Sequence, residues 1–247
     1  MTSPVVRLLS KFPLKTYPSE DITDIPLQDA LAGRSFYYGC QDKTNVPDFT
    51  LLIGSYQVDE KSNVLYAMDP DCLFVQCCLA RKHGLTLPGV DNSARTSDNK
   101  SGSNARILSV ATKDVPLLLV ESGGEGNYMT REELLQDIGE KYLSTKERQW
   151  AKLLDSNVKQ VWAREAADSD QLHVSTSEQQ SYRRDKCHAI LQLFESEYST
   201  LPANTYFQLK LDALAFCIVH GPATATQTYI NSHCPTLAAN CHPTPAC

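Results

Sequence analysis

Helical periodicity is the only regular pattern from Thr145 onward, whereas strand-like segments are confined to the residues before it. Apolar residues recur at helical intervals through residues 146–167, 178–198 and 205–220. Hydrophobic residues at 42% and charged residues at 21% are ordinary for a globular chain, so composition constrains the fold much less. The switch predicts a mixed α/β half followed by an all-helical half.

The first half contains a helix with clear start and stop signals. Asp69 is a good N-cap, Pro70 suits the first helical position, and Gly84 ends the apolar run as a left-handed cap. A second helix is predicted over 130–143, with Thr130 and Glu133 in capping-box spacing at its start. Strands are predicted from β-branched, aromatic and apolar content. Their ranges are 49–58, 63–68, 105–110 and 115–121, and residues 122–127 are predicted to form a turn.

This order of strand, helix, strand, strand, turn and helix is that of a thioredoxin-like unit. With the helices that follow, it predicts an α/β plus all-α, glutathione-transferase-like fold. Val115-Pro116 lies where such folds often place a cis-proline, so a cis bond is expected there. The predicted divisions are an N-terminal arm and leading strand, a thioredoxin-like domain, a helical domain and a flexible tail, at 1–61, 62–144, 145–232 and 233–247.

Cys72 is the first candidate for thiol chemistry, since a helix N-terminus lowers a thiol pKa. Asp69 and Asp71 flank it and oppose a thiolate, and residues 69–72 read Asp-Pro-Asp-Cys, so there is no CxxC motif. A structural cysteine is therefore favoured over a reactive one. Tyr66 is a second candidate, because its hydroxyl could serve as the reactive group of a divergent enzyme of this fold in place of the Cys72 thiol.

Two parts of a glutathione site are missing from the sequence. The second helix opens with Thr130-Arg131, where transferases usually place an acidic residue followed by serine. Only residues 111–114 separate the predicted strands 105–110 and 115–121, too few for the usual helix. No catalytic residue and no cofactor are therefore expected.

Cysteines and histidines near the end of the chain superficially resemble a zinc site. His233-Cys234, Cys241-His242 and Cys247 lack the paired CxxC or HxxxH spacing that lets two ligands bind from one turn. No metal site is predicted, and the segment after Asn231 is expected to be loose. A net charge of −6 gives no support for a nucleic-acid partner.

Residues 1–10 carry one basic residue and no apolar core of signal-peptide length. The nine cysteines are odd in number, and several lie in apolar helical patterns. These features favour a reducing, cytosol-facing location. The most apolar stretch, Leu209–Val219, is too short to span a bilayer, so membrane contact is expected mainly through partners.

The chain resembles the metaxin family, and within it the fungal metaxin-like subunits of the mitochondrial sorting and assembly machinery. The resemblance rests on the helix block at 69–76 with its continuation at 83–88. It also rests on the opening at 12–17 and on the run from Pro116 to Glu121. Together these blocks cover about a third of the chain, and the helical half matches only in pattern. Some metaxins carry a C-terminal membrane span, which residues 235–247 are unsuited to form.

The resemblance implies a non-enzymatic receptor or scaffold at the cytosolic face of the mitochondrial outer membrane. Its partners would be a β-barrel insertase subunit, a second metaxin-like subunit and β-barrel precursor proteins. One alternative is a divergent glutathione-dependent transferase or thiol enzyme that uses Cys72 or Tyr66. Another is a soluble transferase-like module for translation or complex assembly.

Apolar residues cluster in residues 5–17 of the predicted arm. We expect this stretch to contact a partner, most simply the insertase, because so much exposed apolar area is a liability for a soluble monomer. The candidate partner-binding residues are Leu8, Phe12, Leu14 and Tyr17. Basic residues at four-residue spacing also fit a segment at lipid headgroups, and packing on the chain's own helical half is a third possibility.

Overall fold

The fold is described from a computed structural model of the 247-residue chain. The residues whose structure is described are 35–40, 48–89, 105–112, 114–122, 125–169, 178–202 and 205–241. All of them belong to one compact unit, Ser35–Cys247. The predicted partner-binding residues Leu8, Phe12, Leu14 and Tyr17 lie outside the described residues.

Nine strands are formed by the described residues, all before residue 130. They are β1 (Ser35–Tyr37), β2 (Gly39–Cys40), β3 (Phe49–Ile53), β4 (Tyr56–Asp59), β5 (Val64–Ala67), β6 (Leu85–Thr86), β7 (Arg106–Ser109), β8 (Leu117–Ser122) and β9 (Glu125–Met129).

One helix lies between β5 and β6, and the other helices follow β9. They are α1 (Pro70–His83), α2 (Arg131–Tyr142), α3 (Thr145–Leu153), α4 (Gln160–Ser169), α5 (Glu178–Glu197), α6 (Tyr206–His220), α7 (Ala225–His233) and α8 (Pro235–Ala239). A π-helical segment, Leu154–Lys159, joins α3 to α4, and a 3₁₀ turn, Tyr198–Thr200, ends α5.

The main sheet has five strands in the order β1-β7-β3-β8-β9. Strands β3 and β7 run parallel, and the other neighbouring pairs are antiparallel. The chain between the parallel strands contains the β4–β5 hairpin and α1. The predicted α/β half followed by a helical half is therefore confirmed as a mixed sheet followed by helices.

Local signals in the sequence define the ends of α1 and α2. Asp69 accepts hydrogen bonds from the backbone of Asp71 and Cys72 at 3.0 Å, and Gly84 adopts a left-handed φ of 61°. Thr130 and Glu133 form the expected capping box at the start of α2. These predictions are confirmed.

The side chain of the fully buried Gln76 forms hydrogen bonds with the backbone of β5, as a neighbouring strand would. Its side-chain oxygen accepts from the backbone of Ala67 at 3.0 Å, and its side-chain nitrogen donates to the carbonyl of Leu65 at 2.7 Å. Strand β4 occupies the other edge of β5. A polar side chain of α1 thus satisfies backbone groups that would be costly to bury unpaired.

The sheet side and the helices share one core, in which α6 packs against α1 and β5. The ring centroids of Tyr66 and Phe216 lie 4.8 Å apart, and the Lys210 ammonium lies 5.4 Å from the ring centre of Phe74. Helix α6 is buried along most of its length, as its almost continuous apolar sequence predicts.

Four local predictions are corrected. Residues 35–40 are predicted from the sequence to be part of an arm but form β1 and β2. The predicted strand 49–58 is interrupted at Gly54 and forms two strands, β3 and β4. Residues 125–127, interpreted as a turn, belong to β9, which gains its order from pairing with β8. The stretch after Asn231, expected to be loose, contains α8, which has Leu237 buried in the core.

Seven cysteine side chains are described, and all of them are buried with no disulfide between them. Among the described residues, no helix combines the length and the apolar character that a membrane span requires.

Candidate functional site

The first turn of α1 is where a thioredoxin-like enzyme would carry its reactive group. Cys72 lies there with 0% of its surface exposed. Burial raises the pKa of the Cys72 thiol far above its ordinary value, and the charge of Asp69 raises it further. A backbone hydrogen bond with Gly54 acts in the opposite direction but is outweighed. The thiol is therefore held protonated, which does not support nucleophilic chemistry.

Tyr66, the other candidate nucleophile, is also unsuited to chemistry. It is 5% exposed and packs against Phe216 of α6. Burial raises the pKa of its phenol, with a further contribution from Cys77. The side chain is a core aromatic of the contact between β5 and α6.

Asp71 is the centre of a charged cluster beside Cys72. Its carboxylate accepts from Arg131 Nε at 2.8 Å and pairs with the Lys159 ammonium through the same oxygen. Only 3% of the Asp71 side chain is exposed. Arg131 opens α2 and Lys159 ends the π-helical segment, so one carboxylate joins three elements. We call Asp71, Arg131 and Lys159 the α1 charge cluster.

The electrostatics of the α1 charge cluster favour an ionised carboxylate. Burial alone would raise the pKa of Asp71, but Lys159, Lys210 and Arg131 together outweigh that effect and hold the pKa below its ordinary value. An internal ion pair therefore occupies the start of α2, the element that would present an acidic residue and serine to glutathione. Arg131 is directed at Asp71 instead of at a ligand.

The expected cis-proline is present. The Val115–Pro116 bond is cis, and β8 begins at the next residue, Leu117. Gly54 lies close by: a Cβ at Gly54 would be 3.7 Å from a Val115 methyl, and the Gly54 carbonyl accepts from Ser109 Oγ at 2.9 Å. The bend after β3, the end of β7 and the start of β8 thus converge.

A second buried carboxylate lies in the helical half. Asp212 of α6 accepts a hydrogen bond from the Tyr198 hydroxyl at 2.8 Å. Burial raises the pKa of Asp212 to about 7, although Tyr198 and Arg81 both act to lower it. The carboxylate is separate from the α1 charge cluster, and its only sign in the sequence is its place in an apolar helix.

Of the cysteines and histidines near the end of the chain, His233, Cys234 and Cys241 serve packing, while His242 and Cys247 lie outside the described residues. Cys234 and Cys241 are buried, and burial raises the pKa of Cys234 to about 11. His233 stacks on Tyr229 with ring centroids 4.6 Å apart. Within the ranges the structure describes, no group of three or more His, Cys, Asp or Glu side chains is arranged to hold a metal ion.

The sequence does not reveal the α1 charge cluster as a unit. It indicates Asp71 only as a charge that opposes a Cys72 thiolate, and Arg131 only as a departure from a ligand site. Lys159 carried no signal, because its partner is 88 positions away in the chain.

Comparison with known proteins agrees with the resemblance found in the sequence. Residues 1–121 match the family model described as SAM35, subunit of SAM complex. The Sorting assembly machinery 35 kDa subunit of Saccharomyces cerevisiae is 34% identical over 90 residues. That match covers 34% of this chain and 27% of the yeast protein, so the chain is matched to only part of its relative. The first 121 residues, just under half of the chain, are thus identified with the family of SAM35, a subunit of the sorting and assembly machinery.

Proposed function

We propose that this chain is a non-enzymatic, peripheral subunit of the mitochondrial machinery that inserts β-barrel proteins into the outer membrane. It acts at the cytosolic face as a receptor and scaffold for β-barrel precursors. The observation that carries the proposal is the family match over residues 1–121, together with an ion pair where a ligand site would be.

A glutathione-transferase-like fold is part of the proposal. Strands β7, β3, β8 and β9 follow one another in the sheet, with β3 and β7 parallel and β8 antiparallel to β3. That arrangement, the cis Val115–Pro116 bond before β8 and the helices after residue 130 support it. The division at 1–61, 62–144, 145–232 and 233–247 remains a prediction.

A non-catalytic role is supported by what fills the α1 end of the sheet. The Cys72 thiol is buried with a raised pKa, and Arg131 of α2 is paired with Asp71. A carboxylate ligand would have to compete with Asp71 for Arg131 and would leave a buried charge unpaired, which is costly. The site favours an internally stabilised scaffold over a glutathione enzyme.

The proposed partners are the β-barrel insertase subunit, a second metaxin-like subunit and the β-barrel precursors themselves. The name of the yeast relative supports partners within an assembly machinery, and the individual partners proposed are those that the resemblance to metaxins implies. The N-terminal residues Leu8, Phe12, Leu14 and Tyr17 are proposed to contact the insertase. Membrane contact is proposed to occur mainly through these partners.

Two affinity measurements on the full chain test the proposal. Outer membranes solubilised in mild detergent should yield the insertase and the second metaxin-like subunit when the tagged chain is recovered, and glutathione-agarose should retain none of it. Retention on glutathione-agarose that free glutathione elutes, with no insertase in the tagged preparation, would favour the divergent transferase instead.

A truncation tests the N-terminal contact. Deleting residues 1–17 should leave the thermal unfolding midpoint of the isolated subunit almost unchanged while weakening co-purification of the insertase. A large drop in the midpoint would show that these residues belong to the subunit's own core.

A further inference from the structure

The two faces of the five-stranded sheet differ sharply in burial. Residues paired directly across neighbouring strands lie on the same face. The row Phe36, Ile107, Leu51 and Leu118 is set by these pairings, and each of its members is at most 5% exposed. These side chains share one core with the buried side chains of α1 and α2. This face is the core face.

The opposite face is less uniform: Ser35 and Thr50 are buried and Leu52 packs against the core, whereas three other leucines stand outside the core. Leu108, Leu117 and Leu119 are partly exposed and are not among the residues packed against the core. Tyr128 of β9 lies directly across from Leu119 and is 65% exposed. We call this side of the sheet the open face and define it by Arg106, Leu108, Leu117, Leu119 and Tyr128.

Among the described residues, no helix follows β7 directly to form a covering layer on the open face. Parallel strands are usually covered on both faces, and β3 and β7 are parallel. The chain runs from β7 to β8 through residues 110–116 alone, which are too few for a helix that would cover this side. Within the described ranges, Leu108, Leu117 and Leu119 therefore have no helix of their own packed on them.

Arg106 places a positive charge on the open face. It lies in register with Tyr37 on one side and Thr50 on the other, and its Nε donates to Thr50 Oγ1 at 3.0 Å. No carboxylate among the described residues forms an ion pair with it. A guanidinium on a face that also carries leucines favours a partner that brings a carboxylate to the remaining N–H donors.

We propose that the open face binds an amphipathic α-helix of a partner protein, whose apolar side packs on the leucines and whose carboxylate pairs with Arg106. Side chains that stand perpendicular to a sheet are covered by a layer, and a single helix is the smallest such layer. Five strands at ~4.8 Å spacing make the face roughly 19 Å wide. At 1.5 Å per residue, a helix of about 13 residues crosses that width.

Site-specific photo-cross-linking in the assembled complex tests the location. A benzophenone amino acid replaces Leu108 or Leu119 in the tagged full-length chain, and Lys152, exposed on α3, is the control position. After irradiation the complex is purified and the cross-linked peptides are identified by mass spectrometry. Both face positions should label one acid-containing helical segment of one partner protein, and position 152 should not.

A charge exchange tests the chemistry. Arg106→Glu should lower the amount of that partner recovered by at least tenfold, while the exposed control Arg148→Glu leaves recovery unchanged. Replacing the labelled segment's carboxylate with lysine should restore recovery to the Arg106→Glu chain. The milder Arg106→Gln, which keeps a donor for Thr50, should also lower recovery without changing the unfolding midpoint, and so separates a lost contact from misfolding.

Three outcomes would overturn the proposal: labels confined to this chain's own residues, labels confined to lipid, or recovery that is indifferent to the charge at position 106. The first would show that another segment of the chain covers the open face. The function proposed above does not depend on this helix, because a partner in any complex could supply it. These outcomes would therefore not contradict that function.

Discussion

Arg131 Nε donates to the Asp71 carboxylate at 2.8 Å and so connects the first turn of α2 to the first turn of α1. Lys159 shares the same carboxylate oxygen from the helical half. The shared carboxylate thus ties the sheet-side helices α1 and α2 to the helical half.

Removing the central carboxylate should destabilise the fold strongly. Asp71→Asn leaves Arg131 and Lys159 without their anion, and breaking a buried pair costs about 3 to 5 kcal/mol. The free energy of unfolding, measured in urea at pH 7, should fall by an amount of that order. The control Asp137→Asn breaks the exposed i,i+4 pair with Lys141 and should cost less than about 0.5 kcal/mol.

The Asp71 contribution should also depend on pH with a defined sign. Its pKa is lowered in the folded state, so its stabilisation is present above the unfolded value near 3.8 and is lost as the pH falls through the folded pKa. The difference between the wild type and Asp71→Asn should therefore shrink below pH 4. A difference that grows in acid would contradict the ion-pair account.

Asp212 should give the opposite pH dependence. Its folded pKa is about 7 against an ordinary 3.8, so the folded state binds more protons between these values. Stability is then lost as the pH rises from about 4 through about 7. As the pH rises from 5 to 8, the free energy of unfolding of Asp212→Asn should increase relative to that of the wild type by about 2 kcal/mol. The exposed control Asp185→Asn should show no such trend, and a flat difference for Asp212→Asn would refute the buried-acid assignment.

Glu195 should hold α8 in place. Its two carboxylate oxygens accept from the backbone of Thr236 and Leu237 at 2.8 and 2.9 Å, and the N-cap residue Cys234 offers no side-chain cap. Glu195→Ala removes a capping group worth about 1 kcal/mol, so amide exchange over 235–241 should quicken about fivefold. Glu197→Ala is the matched control. Unchanged exchange in Glu195→Ala would mean that burial of Leu237 alone holds the segment.

Two glycines should respond to alanine with opposite signs. At Gly221 a Cβ would lie 2.3 Å from the Cys217 carbonyl oxygen, so Gly221→Ala should destabilise by about 1 to 3 kcal/mol through forced backbone movement. At Gly139, inside α2, a Cβ meets nothing within 4 Å. Gly139→Ala should therefore stabilise by about 0.5 to 1 kcal/mol. If Gly221→Ala raised the thermal midpoint as much as Gly139→Ala does, the backbone at residue 221 would have to relax without cost.

Sequence patterns predicted what is set by local chemistry. The cap at Asp69, the left-handed Gly84 and the Thr130–Glu133 box depend on neighbours in the chain, and all three are confirmed. The patterns failed for β9, whose glycine and asparagine have low strand propensity and whose order comes from pairing with β8. Strand formation there depends on tertiary contacts.

The candidate site shows the same difference between features set by neighbours in the chain, which the sequence predicts, and tertiary contacts, which it does not. The sequence placed Cys72 at a helix start and Asp71 beside it, and it found the glutathione contacts missing. It did not show that Asp71 binds Arg131 and Lys159, because a pairing across 88 positions leaves no periodic trace. The π-helical segment that brings Lys159 to Asp71 likewise interrupts what appeared to be one continuous helix.

Cys72→Ala, made in the full chain, tests the non-catalytic assignment within a complete assembly. The buried thiol has a raised pKa and makes one hydrogen bond with the backbone of Gly54, so the variant should lose little and should still fold and join its complex. Loss of β-barrel insertion by a variant that is folded and assembled normally would point to thiol chemistry.

Insertion of a radiolabelled β-barrel precursor into isolated mitochondria tests the central claim most directly. Mitochondria depleted of this chain should import the precursor to the intermembrane side but fail to assemble it into the outer membrane. Adding back the wild type or Cys72→Ala should restore assembly equally. Normal assembly in depleted mitochondria would contradict a role for the chain in β-barrel insertion.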